Sequence, residues 1–223
     1  MNDISQMRTV FDKHEPLDIK TMPDSPVKLF EQWFELARHT EHLAEPNAFV
    51  LSTANHAGRL RTRTVLLKYF DHHGFVFFTN YHSQKAHDIS ENPQVSVCFP
   101  WYPLQRQLLI EGRAEKISQA ESLKYFASRP KESQIGAWVS QQSQVIDSRQ
   151  LLIDKAKQLA QRFAGKSVPL PDFWGGYRIR PTRFEFWQGQ PGRLHDRIQY
   201  TTTELDDKVL DDSTIWEKQR LSP

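Results

Sequence analysis

Cysteine and long apolar runs are the features that this sequence has least of. Cys98 is the single cysteine among 223 residues, so the chain cannot form an intramolecular disulfide, and we expect a reducing, cytoplasmic environment. The N-terminal stretch MNDISQMRTVFDKHEPL has no apolar segment typical of a signal peptide, and no uncharged apolar stretch long enough to cross a membrane follows it. We therefore expect a globular protein without a membrane partner.

A charge excess of either sign is also absent. The 29 Lys and Arg residues are nearly balanced by 27 Asp and Glu residues, the formal net charge is +2, and no long basic run occurs. Nucleic-acid-binding domains concentrate positive charge on one face or along one helix. The composition therefore predicts no nucleic-acid partner.

Common catalytic and cofactor-binding motifs are missing as well. No G-x-G-x-x-G follows a predicted strand, and the fragment GKS at 165–167 lacks the upstream glycine of a phosphate-binding loop. The nine histidines include no H-E-x-x-H, the pair at 72–73 has only Asp71 as a neighbouring carboxylate, and no G-x-S-x-G occurs. Cys98 lies in an apolar stretch and is interpreted as a packing residue. We expect no metal site.

Hydrophobic periodicity predicts helices and strands in the rest of the chain. A helix is expected to begin near Asp24 or Ser25, and another begins at Ser118, where Glu121 completes a capping-box spacing. The predicted helices lie within 24–43, 83–93, 118–130 and 148–165. The predicted strands are 48–54, 59–70, 75–80, 94–101, 106–117 and 174–189.

These elements predict one α+β domain, mainly antiparallel β, over residues 24–223. Helices are inserted between antiparallel strands rather than alternating strictly with them, which favours a barrel or curled sheet. Six Trp and fourteen Phe residues are enough to fill its core. Residues 1–23 are polar and aperiodic, and we predict that they form a flexible N-terminal arm.

The stretch WQGQPGRLHDR at 187–197 places Arg193, His195 and Arg197 at every second position after a turn. If the stretch is extended, these three side chains share one face of a strand, with Leu194 and Asp196 on the other. Such a face suits an anionic or polar ligand, but a solvated hairpin edge would carry the same residues. The residues alone leave both interpretations open.

A second candidate site pairs Tyr125 with Arg129, one helical turn apart. The hydroxyl and the guanidinium can hold one phosphate, because their donors reach different oxygens, or they can form an exposed helix face. Arg63 and Lys68 lie on the predicted second strand an odd number of positions apart, so a regular strand would point them to opposite faces. Either a bulge intervenes or the two residues contact different ligands.

Six segments of the chain together match the pattern of one protein family. They are RTRTVLLK (61–68), FTNYHSQKAHDISENP (78–93), FPWYPLQRQLLIEG (99–112), YFASRPKESQIGAWVSQQS (125–143), PLPDFWGGYRIRP (169–181) and FEFWQGQPGRLHDR (184–197). The patterns R-P-x-x-S-Q-I-G-A-W and F-W-x-G-x-x-x-R-L-H-D-R are highly specific. In this order and spacing, the chain resembles the pyridoxamine 5′-phosphate oxidase family from its first helix to its final RLSP.

The resemblance implies a fold, an activity and an assembly. The fold is an FMN-binding split β-barrel with peripheral helices, and the assembly is a homodimer with FMN at the subunit interface. The implied activity is the oxidation of pyridoxamine or pyridoxine 5′-phosphate to pyridoxal 5′-phosphate, with O2 reduced to H2O2.

The resemblance also implies roles for residues at matching positions. Those implied to contact FMN are Arg63, Thr64, Val65, Leu66, Leu67, Lys68, Phe78, Thr79, Gln84, Lys85, Gln107, Gln142, Ser143, Trp187 and Arg197. Those implied to contact the substrate are Arg8 on the arm, Lys68, Tyr125, Arg129 and Ser133 at the phosphate, and Arg193 and His195 at the pyridine ring. Arg197 is expected nearest the reacting carbon, so Arg193, His195 and Arg197 form the implied catalytic set.

Two positions depart from the family pattern. Gln84 stands where the family usually has Arg before Lys85, and loss of a charge-assisted hydrogen bond costs about 1.5–3 kcal/mol when nothing replaces it. Phe11 stands where the family arm carries a tyrosine, so this residue offers the substrate no hydroxyl.

Two other classes of function remain as alternatives. One is a catalytically silent protein that carries or senses FMN or pyridoxal phosphate, and the other is a split-barrel reductase with a different flavin-like cofactor and substrate. Neither alternative requires the substrate-phosphate residues together with the Arg193, His195 and Arg197 set. All of these residues are present, which favours the oxidase.

Overall fold

The computed structural model describes residues 4–7, 10–204, 210 and 212–223. Nine strands and five α-helices occur in this part of the chain. The strands are β1 (Ala48–Ala54), β2 (Leu60–Leu66), β3 (Tyr69–Asp71), β4 (Gly74–Asn80), β5 (Gln94–Trp101), β6 (Arg106–Lys116), β7 (Trp174–Gln188), β8 (Asp196–Thr201) and β9 (Glu217–Arg220). The helices are α1 (Pro26–Arg38), α2 (Gln84–Glu91), α3 (Gln119–Ser128), α4 (Lys131–Val139) and α5 (Arg149–Arg162).

The sheet curls into a partly closed barrel. Seven antiparallel strands follow the order β2-β1-β5-β6-β7-β4-β3, β8 pairs with β7, and β9 pairs with β8. The path ends at β2 and β3, yet Leu67 and Lys68 alone separate these strands, and three Cα steps span at most about 11 Å. The amide of Leu67 donates to Asn47 O beside β1, and the amide of Lys68 donates to Val76 O on β4, both at 2.8 Å. The two ends of the sheet therefore meet, and the predicted α+β split barrel is confirmed.

Alternating apolar residues and one helix fill the barrel. Phe49 on β1 and Phe184 and Phe186 on β7 are almost completely buried, as their inward positions on the strands require. Phe30 and Trp33 of α1 are buried against them, and the Phe30 ring lies 4.9 Å from the ring of Phe75 in an edge-to-face contact. The amphipathic helix predicted near residue 25 thus packs its apolar face into the core.

A second apolar cluster joins α3, α4 and α5 to the beginning of β7. Its buried members are Phe126, Ile135, Val139, Phe163, Val168 and Trp174. The capping box that opens α3 is present, since the Glu121 amide donates to Ser118 Oγ at 3.1 Å and the Ser118 amide donates to Glu121 Oε2 at 3.0 Å. None of the helices in this described part is long and apolar enough to cross a membrane.

Two local predictions differ from the structure. The single strand predicted over 59–70 is wrong, because the chain leaves β2 at Leu66, crosses between the sheet ends and begins β3 at Tyr69. Helix α4 was not predicted. Pro130 at its N-cap and Glu132 in its first turn are start signals, but the helix has nine residues with Gly136 among them, which weakens the helical pattern.

Residues 11–23 of the predicted arm lie against the sheet. The amides of Asp12 and Lys13 donate to Gln105 Oε1 at 3.1 and 3.2 Å, and the amide of Leu17 donates to Asp196 Oδ2 at 2.9 Å. Met22 belongs to the core. Arg8, which the resemblance places at the substrate, lies outside the described residues.

Candidate active site

A cavity of about 900 Å³ opens beside β2, between α2, the end of α3 and α4. This volume is at the upper end of the range typical of cofactor and ligand sites. Predicted site residues that line it are Arg63, Thr64, Val65, Leu66, Lys68, Phe78, Thr79, Gln84, Lys85, Tyr125, Arg129, Gln142 and Ser143. We call this cavity the pocket half-site.

Lys85 is a buried cation in the pocket half-site. Its Nζ donates to Thr79 Oγ1 at 3.0 Å, to Ser83 Oγ at 3.2 Å and to Gln142 Oε1 at 3.1 Å. Burial, followed by the charge of Arg63, lowers the pKa of Lys85 to about 8. Within the described residues no carboxylate lies within 4.0 Å of this ammonium group. An anionic ligand would stabilise its charge.

Asp88 on α2 holds the arginines at the rim of the same cavity. This carboxylate is 1% exposed and accepts hydrogen bonds from Thr53 Oγ1 at 2.7 Å, from Arg61 Nη1, and from Gln84 Nε2 at 3.2 Å. Arg63 Nη2 lies 3.9 Å from its Oδ2 atom. The side-chain amide of Gln84 therefore donates to a residue of the protein itself. Asp88 was missed from the sequence, although its position four residues after Gln84 places both on one helical face.

Arg129 and Tyr125 form a second polar group in the cavity. The Arg129 guanidinium lies 4.7 Å from the ring centroid of Trp174, and its buried Nη1 atom has no hydrogen-bond partner in the described part of the chain. The Tyr125 ring stacks on Phe78 at 4.0 Å. Burial lowers the pKa of Arg129 and raises that of Tyr125. Since an unsatisfied buried donor is costly, this geometry favours the phosphate interpretation over an exposed helix face.

Arg63 and Lys68 line the same cavity despite their odd spacing in the sequence. Strand β2 ends at Leu66, so the regular alternation stops before Lys68, and both cations line the same cavity. Leu67 packs in the core and does not line the cavity. Ser133 is half-buried on α4 and does not line it either.

A separate group of predicted site residues lies across β6, β7 and β8. Gln107 is opposite Trp187, and Trp187 is opposite Arg197, so these three residues form a row on one face of the sheet. The neighbouring residues Leu108 and Phe186 point into the core. The row is half-buried.

The extended conformation on which the alternation of Arg193, His195 and Arg197 depended is not formed before Asp196. Residues Pro191–Arg193 form a 3₁₀ turn in which Gly192 has φ +64°, and β8 begins only at Asp196. Of the three residues, Arg197 alone is in a strand, while Arg193 is exposed on the turn. The turn residues Pro191 and Gly192, which precede the pattern in the sequence, explain why the extended conformation starts later than predicted.

His195 nevertheless lies beside the row. Its Nδ1 atom accepts a hydrogen bond from the backbone amide of Gln190 at 3.1 Å, so the neutral ring carries its proton on Nε2. The ring lies 4.8 Å from that of Trp187 and 5.4 Å from that of Phe11 on the arm. Phe11 also packs on Gly189, where an added Cβ atom would come within 2.5 Å of the Phe11 ring. We call Gln107, Trp187, Arg193, His195 and Arg197 the loop half-site.

The two half-sites lie at opposite ends of β7. Trp174 lines the pocket half-site at the start of the strand, and Trp187 lies thirteen residues later, about 40 Å along the strand. No residue of the loop half-site lines the cavity. No group of three or more metal-ligating side chains occurs in the described part of the chain.

The profile of the family described as pyridoxamine 5′-phosphate oxidase matches residues 36–163. The chain belongs to the pyridoxamine 5′-phosphate oxidase family. The profile of the pyridoxine 5′-phosphate oxidase C-terminal dimerisation region matches residues 174–223, which include four members of the loop half-site.

Curated relatives match this chain over nearly its whole length. The pyridoxine/pyridoxamine 5′-phosphate oxidase of Crocosphaera subtropica is 54% identical over 221 residues, which cover 99% of this chain and 100% of that protein. The oxidase of the same name from Dichelobacter nodosus is 52% identical over 202 residues, which cover 91% of this chain and 95% of that protein.

Solved structures share the fold. PhzG from Burkholderia lata, in complex with tetrahydrophenazine-1-carboxylic acid, matches with a TM-score of 0.84 and 26% identity over 95% of this chain and 98% of that one. An FMN-binding protein from Nostoc punctiforme, related to the pyridoxamine 5′-phosphate oxidase family, matches with a TM-score of 0.67 and 16% identity over 91% of this chain and 100% of that one. The second likeness concerns the fold alone.

Proposed function

We propose that this protein is an FMN-dependent oxidase that converts pyridoxamine and pyridoxine 5′-phosphate to pyridoxal 5′-phosphate and reduces O2 to H2O2. The observation that carries the proposal is the presence of two separate cationic groups in one cavity. Among the described residues, Lys85 has no carboxylate partner and the buried Nη1 atom of Arg129 has no hydrogen-bond partner, and both side chains line the cavity. One cavity can thus hold two phosphorylated ligands. The two relatives of that name described above are 54% and 52% identical, against 26% for PhzG.

The residues of the cavity fit FMN. Lys85 and Arg63 supply charge for its phosphate, and Thr79 and Gln142, already within hydrogen-bond distance of the Lys85 ammonium, supply polar atoms beside it. The row of Gln107, Trp187 and Arg197 would supply an aromatic surface, an amide and a charge for the flavin ring. When bound, FMN would accept the hydride of the substrate and pass the electrons to O2.

The chain's own residues would bind and orient the substrate. Arg129, Tyr125 and Lys68 are placed to hold its phosphate, with Ser133 as the further contact that the resemblance implies. The Nε2–H of His195 is available as a donor to the pyridine ring, because Nδ1 already accepts from Gln190. The Arg197 guanidinium would supply positive charge near the reacting carbon. We place the reaction in the cytoplasm, as the single cysteine suggests.

A direct test is the stoichiometry of the aerobic reaction. The purified protein with FMN and pyridoxamine 5′-phosphate is expected to consume O2 and water and to form pyridoxal 5′-phosphate, ammonia and H2O2 in equal amounts. Formation of none of these products would favour the carrier or sensor, and turnover restricted to another substrate would favour the reductase.

A homodimer explains how the half-sites act together. In one chain they lie far apart along β7, but a two-fold axis would place the pocket half-site of one subunit against the loop half-site of the second copy. The match of residues 174–223 to a dimerisation region supports this arrangement. We therefore propose two shared FMN sites in each dimer.

Subunit mixing tests the shared sites. In a heterodimer of Arg129→Ala and Arg197→Met, one site carries both substitutions and the other carries neither. When this heterodimer is isolated by two affinity tags, it should have about half the wild-type activity per dimer at low substrate concentration, while each parent homodimer has little. Activity no higher than that of the parents would mean that each site is built within one subunit.

The Lys85 ammonium predicts a pH dependence of FMN binding. Because the pKa of Lys85 is lowered to about 8, its charge is present below that pH and is lost above it. If FMN keeps the lysine protonated, its dissociation constant should rise about tenfold between about pH 7 and about pH 9. Quenching of flavin fluorescence measures the dissociation constant. Riboflavin, which lacks the phosphate, is the control, and its dissociation constant should not change with pH. An equal pH dependence in Lys85→Met would contradict the assignment.

A further inference from the structure

A buried carboxylate lies directly behind the loop half-site. Glu185 on β7 is 4% exposed, and its two oxygens accept hydrogen bonds from two arginines. Oε1 accepts from Arg197 Nε at 2.8 Å, and Oε2 accepts from Arg183 Nη2 at 2.9 Å. No role for Glu185 follows from the cavity or from the resemblance described above.

The strand register explains why Glu185 reaches Arg197. Residues 185 and 187 of β7 point to the same face, and Trp187 is directly opposite Arg197 on β8. Glu185 is therefore the diagonal neighbour of Arg197, at a distance that a glutamate and an arginine can bridge. The carboxylate meets the Nε edge of the guanidinium beside the aromatic ring of the loop half-site.

Arg197 is held at a second point by the C-terminal tail. Its Nη1 donates to Ser222 O at 3.0 Å, and its backbone carbonyl accepts from the Leu221 amide at 2.9 Å. Nη2 donates no hydrogen bond to any residue that the structure describes, and the side chain is 31% exposed. The planar guanidinium is thus held at Nε and at Nη1, and its Nη2 atom has no partner among the described residues and could donate to a ligand.

We propose that Glu185 is a positioning residue that fixes the Arg197 guanidinium against the flavin. The proposal rests on the proposed function, because it takes Arg197 to be the cation beside the flavin and the reacting carbon. Without the carboxylate the arginine would retain its charge but sample other rotamers. A catalytic group displaced by about 1 Å can lose a large part of its effect on the rate.

Three variants separate positioning from general stability. Glu185→Gln removes the charge at nearly constant volume. Glu185→Asp keeps the charge but shortens the side chain, so one carboxylate can no longer reach both arginines, and this variant decides the question if Glu185→Gln fails to fold. Glu111→Gln is the matched control, because Glu111 pairs with Arg183 in the same network from its exposed end and does not contact Arg197.

Three quantities are measured on each dimeric protein. They are the rate of anaerobic flavin reduction at saturating pyridoxine 5′-phosphate, the substrate concentration that gives half of that rate, and the dissociation constant of FMN from fluorescence quenching. Both Glu185 variants should reduce the flavin at least about tenfold more slowly and bind FMN several-fold more weakly. The half-saturating substrate concentration should stay within about twofold, and Glu111→Gln should match the wild type.

Two outcomes would overturn the inference. Glu185 variants that match Glu111→Gln in both flavin reduction and FMN affinity would leave Glu185 a structural residue. A raised half-saturating concentration with an unchanged rate would place it in substrate binding instead. If the wild-type flavin is not reduced at all, the proposed function fails, and the FMN dissociation constants still decide whether Glu185 holds Arg197 at the flavin.

Discussion

Arg197→Met is expected to slow flavin reduction by about 10²–10³-fold while FMN remains bound at saturating concentration. The substitution keeps much of the apolar stem but removes the guanidinium that Glu185 and the C-terminal tail hold in place. Loss of one preorganised electrostatic group at a reacting centre commonly has an effect of this size. Stopped-flow absorbance of the flavin under anaerobic conditions measures the rate.

Arg38→Met is the matched control for this prediction. Arg38 is an exposed arginine at the end of α1 that pairs with Glu35, so its loss should leave flavin reduction unchanged. Reduction by Arg197→Met at the wild-type rate would remove Arg197 from the catalytic set. Loss of FMN at all concentrations would assign it to cofactor binding alone.

Arg129→Ala is expected to raise the Michaelis constant for the phosphorylated substrate about 10- to 100-fold, with little effect on FMN. The guanidinium lies over Trp174 and its buried Nη1 atom has no hydrogen-bond partner among the described residues, so we propose a phosphate oxygen as its acceptor. A hydrogen bond to a charged group contributes about 1.5–3 kcal/mol, which corresponds to this range. Steady-state kinetics and FMN titration measure the two effects separately.

Unphosphorylated pyridoxine provides the control for Arg129. It lacks the group that Arg129 is proposed to hold, so wild type and Arg129→Ala should oxidise it with similar efficiency. If Arg129→Ala loses FMN and keeps its affinity for the phosphorylated substrate, the two phosphate sites are assigned in the wrong order.

Local sequence signals predicted much of the fold. The Ser118–Glu121 capping box and the apolar spacing of α1 act within a few residues, so both can be identified from the sequence alone. The division of 59–70 was not readable, because it depends on the meeting of two sheet ends that are distant in strand order. The turn at 191–193 contained its own signals, but the Arg-His-Arg alternation suggested an extended strand there.

Several supporting residues of the candidate site could not be predicted in the same way. Asp88 pairs with Arg61, 27 residues earlier, and Glu185 pairs with Arg197 across two strands. Such buried carboxylates are explained only once the register brings their cationic partners near, since burial without a partner would be costly. The resemblance implied which residues contact ligands, whereas the supporting carboxylates were identified only in the structure.

The two departures from the family pattern have local structural consequences. Gln84 donates to Asp88, so the position contributes a neutral amide to the carboxylate that also holds Arg61. Phe11 packs edge to face on Trp187 at 5.7 Å and on His195, which brings the arm to the loop half-site through apolar contact. Both residues thus support the site through packing or internal hydrogen bonds.

The most direct test of the proposed oxidase is an anaerobic mixture of the purified protein, FMN and pyridoxine 5′-phosphate, followed by flavin absorbance. We expect the oxidised flavin band to bleach, pyridoxal 5′-phosphate to appear in an amount equal to the flavin reduced, and the band to return when air is admitted. A bound flavin that stays oxidised with both pyridoxine and pyridoxamine 5′-phosphate would contradict it.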